Sequence, residues 1–433
     1  MELLRTLGVG LVAIVIGACG FDQSGVVFND GGVVVRPDAR LGDARVSDAR
    51  VTGPDAIVTD ASPTAPDAQG CAWPYTPVFF DPCAAGTPVA SPGLLLDLNG
   101  TYVYNSDDAT LTDPNMVVTS PASSIVAGAR AVWFNDIVIN SDATLRLEGS
   151  LPVILISLAD LNVQGTIEVN SHVDGLGFVT GAGANYSGCS VTPPDPGAVC
   201  AQHGGSGGGA GAFSGNGGAG GEGGDTRSCG GAFPDGVPGG AGGVGTGATP
   251  PVNLRGGCAG RDGSQNNSGS GSEGGGGPGG GAVHLAARGT LTLAGTLHAG
   301  GSGGGAGQDD RSGGGGGGSG GTLSLEGLTL DIKASATLAA NGGGGGGGCD
   351  NNPAAAGQDG QPSDQLASGG PKQGAGGDGG AGGAAGTPNG GTTSPAQRGG
   401  GGGGGGVGFI LLYSPNTPMV DGSATFSPPS ITQ

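Results

Sequence analysis

The decapeptide LNVQGTIEVN at 161–170 reads as two short strands hinged on Gly165. Apolar and polar residues alternate on either side of that glycine, the period of a pleated strand with one buried face. The pattern returns as LTLAGTLHAG at 291–300 and, more loosely, as IKASATLAAN at 332–341. Another short strand precedes each copy: VILI at 153–156, VHLA at 283–286 and LSLE at 323–326. A glycine-rich excursion follows each copy, and FILLY at 409–413 closes the series. One such unit cannot bury its inner face alone, whereas stacked units bury a continuous column of Leu, Ile and Val. The expected fold is therefore all-β, a parallel β-solenoid of the pectin-lyase-like β-helix kind, over 93–413, with a C-terminal tail at 414–433. A β-sandwich is the alternative, and the repeated unit favours the solenoid.

Working outward, 93–170 carries further β-rich runs: LLLDL at 94–98, TYVY at 101–104, IVI at 137–139 and TLRL at 144–147. Gly, Asp and Asn punctuate them, and no helical period appears. Glycine-rich inserts are expected at 171–281, 300–321 and 341–407, with unbroken glycine runs at 313–318, 342–348 and 399–406. Two states are open to them. Glycine loses the most backbone entropy on ordering, which favours a flexible coil. Chains without side chains also pack side by side as extended three-residue helices of the polyglycine II kind, and tracts pinned at both ends pay less to do so. The strict Gly-X-Y period of collagen is absent.

The N-terminus, MELLRTLGVGLVAIVIGAC, has one early positive charge at Arg5 and an apolar core shorter than the roughly 20 residues a membrane span needs. It ends in Ile16, Gly17, Ala18 and Cys19, a branched residue and two small ones before a cysteine. Residues 1–18 are read as a lipoprotein signal peptide, Ile16–Ala18 as its peptidase recognition site and Cys19 as the lipidated first residue of the mature chain. Gly20 rather than Asp follows, which favours the outer membrane. Residues 19–70 repeat Asp-Ala-Arg every five residues at 38, 43 and 48 and then continue with Asp-Ala and Pro, a disordered tether with little to bury.

The chain has 105 glycines among 433 residues, so an ordinary enzyme core is not expected, and its net charge of −20 argues against nucleic-acid binding. An exported chain meets an oxidising compartment, so disulfides are expected. Cys71–Cys83, Cys189–Cys200 and Cys229–Cys258, the nearest neighbours along the sequence, are the candidate pairings, leaving Cys349 unpaired. Cys71 to Cys83 encloses Trp73, Tyr75, Phe79 and Phe80; residues 71–92 are read as a disulfide-closed aromatic cap over the end of the core, with a glycan-stacking surface as the alternative.

Motifs that carry chemistry are scarce. Matches to G-x-G-x-x-G and G-x-S-x-G follow from glycine abundance and lack a strand-to-helix setting. His284 and His298 lie on strands of one repeat and read as exposed or coil-edge residues. Asp309, Asp310 and Arg311 read as a solvated turn, although solenoid lyases use such groups. No catalytic residue, metal site or cofactor is expected.

The sequence resembles glycine-rich surface lipoproteins of Gram-negative bacteria, through the unit of a strand, G-T-L-x-A and a glycine run at 279–305 and 320–348. The resemblance covers about 135–413. The tracts are also similar in composition to those of the PE-PGRS family, whose leading helical domain is missing here. The resemblance implies surface exposure and no settled activity. The expected role is a non-enzymatic, lipid-anchored cell-surface protein in structure, adhesion or matrix contact, touching extracellular polysaccharide or a neighbouring cell. The alternatives are a glycan- or ice-binding module and a β-helix polysaccharide lyase or hydrolase.

Overall fold

Stacked aliphatic residues organise the molecule. In a computed structural model, the structure describes residues 73–84, 87–174, 177–189, 204–224, 237–266 and 272–433. The described residues are all-β, with an 11-stranded and an 8-stranded sheet and one two-stranded hairpin. Successive passes of the chain add parallel strands to three columns. The first holds Ala129–Phe134, Val153–Ser157, the first halves of Ala282–Leu293 and Thr322–Ile332, Phe409–Tyr413 and Ile431–Thr432. The second holds Leu94–Leu96, Ile137–Ile139, Leu161–Val163, the second halves of the two long strands, and Met419–Val420. The third, in the smaller sheet, holds Gly100–Asn105, Ala143–Glu148, Thr166–Glu168, Thr296–His298, Thr337–Ala339 and Thr425–Ser427.

Register places like on like. Val132, Leu155, Leu285, Leu325 and Leu412 form one inner ladder. Tyr102, Leu145, Ile167, Leu297, Leu338 and Phe426 form another. Most of these side chains belong to one buried cluster, each rung about 4.8 Å from the next. Antiparallel strands Thr110–Thr112, Val118–Thr119 and Ser123–Val126 fold back onto the first passes.

Two expectations are corrected. Residues 414–433 are not a tail: their strands pair with Thr322–Ile332, Thr337–Ala339 and Phe409–Tyr413, adding a further pass to all three columns. The aromatic segment does not cover the end of the core. Phe79 and Phe80 lie in a second buried cluster with Ala131, Trp133, Ile154, Ile156, Ala286 and Leu411, side chains that alternate with the inner ladders of the first column. They cover the outer face of that column, which is why VILI at 153–156 is buried at every position.

The described glycine tracts form a cross-bonded array. Along 313–321, the N–H groups of Gly313, Gly316 and Ser319 donate to Ser264, Arg261 and Cys258. Those of Gly314, Gly317 and Gly320 donate to Gly400, Gly403 and Gly406, and those of Gly315, Gly318 and Gly321 to Gly305, Ser302 and Ala299. The carbonyls of 311–319 accept from Gly205, Gly208 and Gly211, from Gly274, Gly277 and Gly280, and from Gly343, Gly346 and Cys349. The period is three throughout, so six tracts surround this one. Each of the six also bonds to its neighbours around the ring, as in Gly400 to Gly205 at 2.8 Å and Gly257 to Gly280 at 2.7 Å. Backbone contact is close enough that a Cβ on Gly316 would lie 2.3 Å from the Gly209 carbonyl oxygen.

Candidate functional site

Residues 1–18 with Ile16, Gly17 and Ala18, together with Cys19, the tether, Cys71, Cys200 and Cys229, lie outside the described residues. Cys83 is disulfide-bonded. Both neighbour pairings expected for Cys189 and Cys258 are overturned, because these two cysteines are bonded to each other across 69 residues. The segment ending in Cys189 runs beside that ending in Cys258. Tyr186 N donates to Gly257 O at 3.2 Å and Gly256 N to Gly183 O at 3.2 Å, bringing the two cysteine Cα atoms to 5.6 Å. Cys349 is a free, buried thiol within the array.

Asp309 and Asp310 are exposed in a turn, and Asp310 and Arg311 take positive φ angles of 45° and 64°. The histidines correct the expectation of exposure, since both are buried. His284 Nδ1 lies 2.9 Å from Ser324 Oγ and its Nε2 lies 2.9 Å from Glu326 Oε2. Parallel register puts His284 opposite Ser324 and Ala286 opposite Glu326, so the trio follows from the ladder. Serine, histidine and carboxylate in line suggest nucleophilic catalysis. Here Phe79, Phe80 and Tyr413 bracket the trio and shut it from solvent: Phe79 stands edge-on to the His284 ring at 5.1 Å. Val78 N donates to both Glu326 oxygens at 3.2 Å, and Tyr75 Oη donates to Ala287 O at 2.6 Å. Burial, followed by the charge of Glu326, pushes the phenols of Tyr75 and Tyr413 above their ordinary range. The trio therefore latches the aromatic segment to the sheet.

The outer side of the smaller sheet holds a second polar group. Arg146 Nε donates to Glu148 Oε1 at 2.8 Å, while Nη2 reaches Asn170 O at 3.2 Å and His172 Nδ1 at 3.0 Å. His298 Nε2 sits 2.8 Å from Gly360 O; burial first of all holds its pKa below the ordinary 6.5. Beside this group runs a column of threonines in strict register: Thr101, Thr144, Thr166, Thr296, Thr337 and Thr425. Each retains solvent exposure and follows a glycine or alanine, a Gly/Ala-Thr-apolar signature that sequence reading caught only in part. At the array's rim, Pro238, Ala241 and Val244 are exposed at every third position, about 9 Å apart. Among the described residues, no group of three or more His, Cys, Asp or Glu is placed to hold a metal ion.

No protein-family model, no curated protein and no solved structure matches the chain.

Proposed function

We propose that the chain is a lipid-anchored outer-membrane protein whose body is a rigid, non-catalytic contact module held off the cell surface on the 19–70 tether. The three parallel columns are read as coils of a short β-solenoid, and the inserts as polyglycine II helices in a hexagonal bundle. The bonding of 313–321 to six neighbouring tracts carries this reading. Such a slab resists bending and cleavage and offers side chains only at its rim, which suits structure and adhesion better than turnover. Burial of His284, Ser324 and Glu326 supports the same conclusion. Proteinase K treatment of intact cells tests it. The expected outcome is cleavage confined to the tether and release of a resistant fragment beginning near residue 73. Protection of the whole chain until lysis would refute surface display, and fragmentation within 313–321 or 399–407 would refute the rigid slab.

The threonine column favours a second reading, a flat face that orders water or a glycan. Hydroxyls and methyls repeating about every 4.8 Å present a regular lattice to an ordered ligand. Ice-growth inhibition by the purified chain, lost in a Thr166→Asp, Thr296→Asp variant, would support it. Absence of both inhibition and glycan retention removes it.

A further inference from the structure

A groove of about 600 Å³ opens where the strand body meets the glycine array. One wall is built from 183–187 and 251–255, held together by the Cys189–Cys258 bridge just beyond it and by the backbone bonds between Gly183 and Gly256 and between Tyr186 and Gly257. Asn185 takes a left-handed φ of 60°, and its Oδ1 accepts from Gly279 N at 2.8 Å, tying the wall to the array. The other wall is the 127–128 turn with Ser150 and Pro152. The site is thus preorganised by covalent and backbone links.

Arg255 lies on this wall, half-buried, with its guanidinium carbon 4.5 Å from the centre of the Tyr186 ring and 4.1 Å from that of Phe213. In a chain with 35 acidic and 15 basic residues, its guanidinium has, among the described residues, neither a carboxylate within ion-pair distance nor a hydrogen bond. The two rings present their π faces to the guanidinium and supply no hydrogen-bond acceptor, so its N–H groups are left for a ligand. Those groups form a planar fork of donors, whose matching acceptor is a carboxylate. Tyr186 is 45% exposed and offers an aromatic ring to the C–H face of a sugar. Exposed Ser187 and Asn253 add donors and acceptors suited to hydroxyls, and Ser150 Oγ, whose hydrogen is donated to Asp107 Oδ1, adds an acceptor.

We propose that this groove binds a carboxylate-bearing sugar unit of an acidic polysaccharide, with Arg255 taking the carboxylate and Tyr186 the sugar ring. The chain's net charge of −20 opposes a polyanion at a distance, but screening limits that repulsion to about 8 Å at physiological ionic strength. Local contact at Arg255 then decides. Titration calorimetry of the full chain at physiological salt, using trimers of galacturonate, glucuronate and mannuronate with neutral galactose trimer as control, tests the site. At least one acidic trimer should bind saturably and the neutral trimer should not. Arg255→Gln should weaken binding at least about tenfold, with Arg255→Lys between. Because Arg255 also packs on two rings, Ser187→Trp provides a second test: it fills the groove from an exposed position and should abolish binding without shifting the thermal midpoint. Heat from none of the acidic trimers, equal binding of the neutral trimer, or unchanged binding by a folded Arg255→Gln or Ser187→Trp variant would each overturn the proposal.

Discussion

A Cβ added to Gly317 would stand 2.2 Å from the carbonyl oxygen of Gly343, which already accepts the Gly405 N–H at 2.8 Å. Neither partner can move without breaking another bond of the array. Gly317→Ala should therefore destabilise the protein by about 3 kcal/mol, the upper end of overpacking costs. Gly386→Ala, at an exposed turn where nothing lies within 4 Å, should be neutral or add up to about 1 kcal/mol by restricting the unfolded chain. Denaturant midpoints measured side by side check both, and equal effects would mean that the array tolerates side chains. His298 makes a prediction about pH. Buried and neutral, it donates Nε2–H to Gly360 O, and its folded pKa lies below 6.5. The unfolded chain then takes up a proton first as pH falls, so this residue's contribution to stability is present above about 6.5 and is lost on descending through that value. Melting temperature should fall between pH 7.5 and 5.5, less steeply in His298→Gln; identical slopes would remove His298 as the cause.

Between residue and molecule stands the single pass of three strands, and here sequence legibility was uneven. The runs at 161–170 and 291–300 were readable because apolar alternation and a central glycine coincide. Residues 414–433 were not, because Pro418, Pro428 and Pro429 and strands as short as Met419–Val420 mask the pattern, while the pairing that makes them strands comes from a preceding pass. The disulfide was illegible for a related reason: Cys189 and Cys258 meet only because two glycine-rich segments run alongside each other. His284 looked like an exposed polar residue because nothing local announces that Phe79 and Phe80 return to cover it. The last pass also closes an edge. Prolines blunt a strand's capacity to pair with a neighbour, and deleting 415–433 would uncover Thr322–Ile332, Thr337–Ala339 and Phe409–Tyr413 together. That truncation should lose soluble monomer and form aggregates on size exclusion. A monomeric truncation of unchanged stability would show that the pass contributes nothing.

At the scale of the whole molecule, strands and array are one hydrogen-bonded body because tracts run directly into strands. Gly281 accepts from Thr322, Gly321 accepts from Phe409, Gly408 donates to Ala340 and Gly301 to Asn341, so the first and third ladders continue into the array without a hinge. The central tract joins segments that are remote in sequence, from Gly205 to Gly406. Little of the array can form before the passes bring its tracts together, and the passes are fixed in turn by the tracts that join them. Two consequences follow. Folding should be slow, because loop-closure entropy is lost before distant contacts compensate. Unfolding should be a single transition despite the contrast between aliphatic core and glycine bundle. Trp133, packed against Phe80 at 5.6 Å, reports the sheet by fluorescence, and amide hydrogen exchange at 313–321 reports the array. Under increasing denaturant the fluorescence change and the loss of amide protection should share one midpoint. Loss of array protection at a lower denaturant concentration, with Trp133 still buried, would mean that the bundle is an appendage of the sheets and not part of the same cooperative unit.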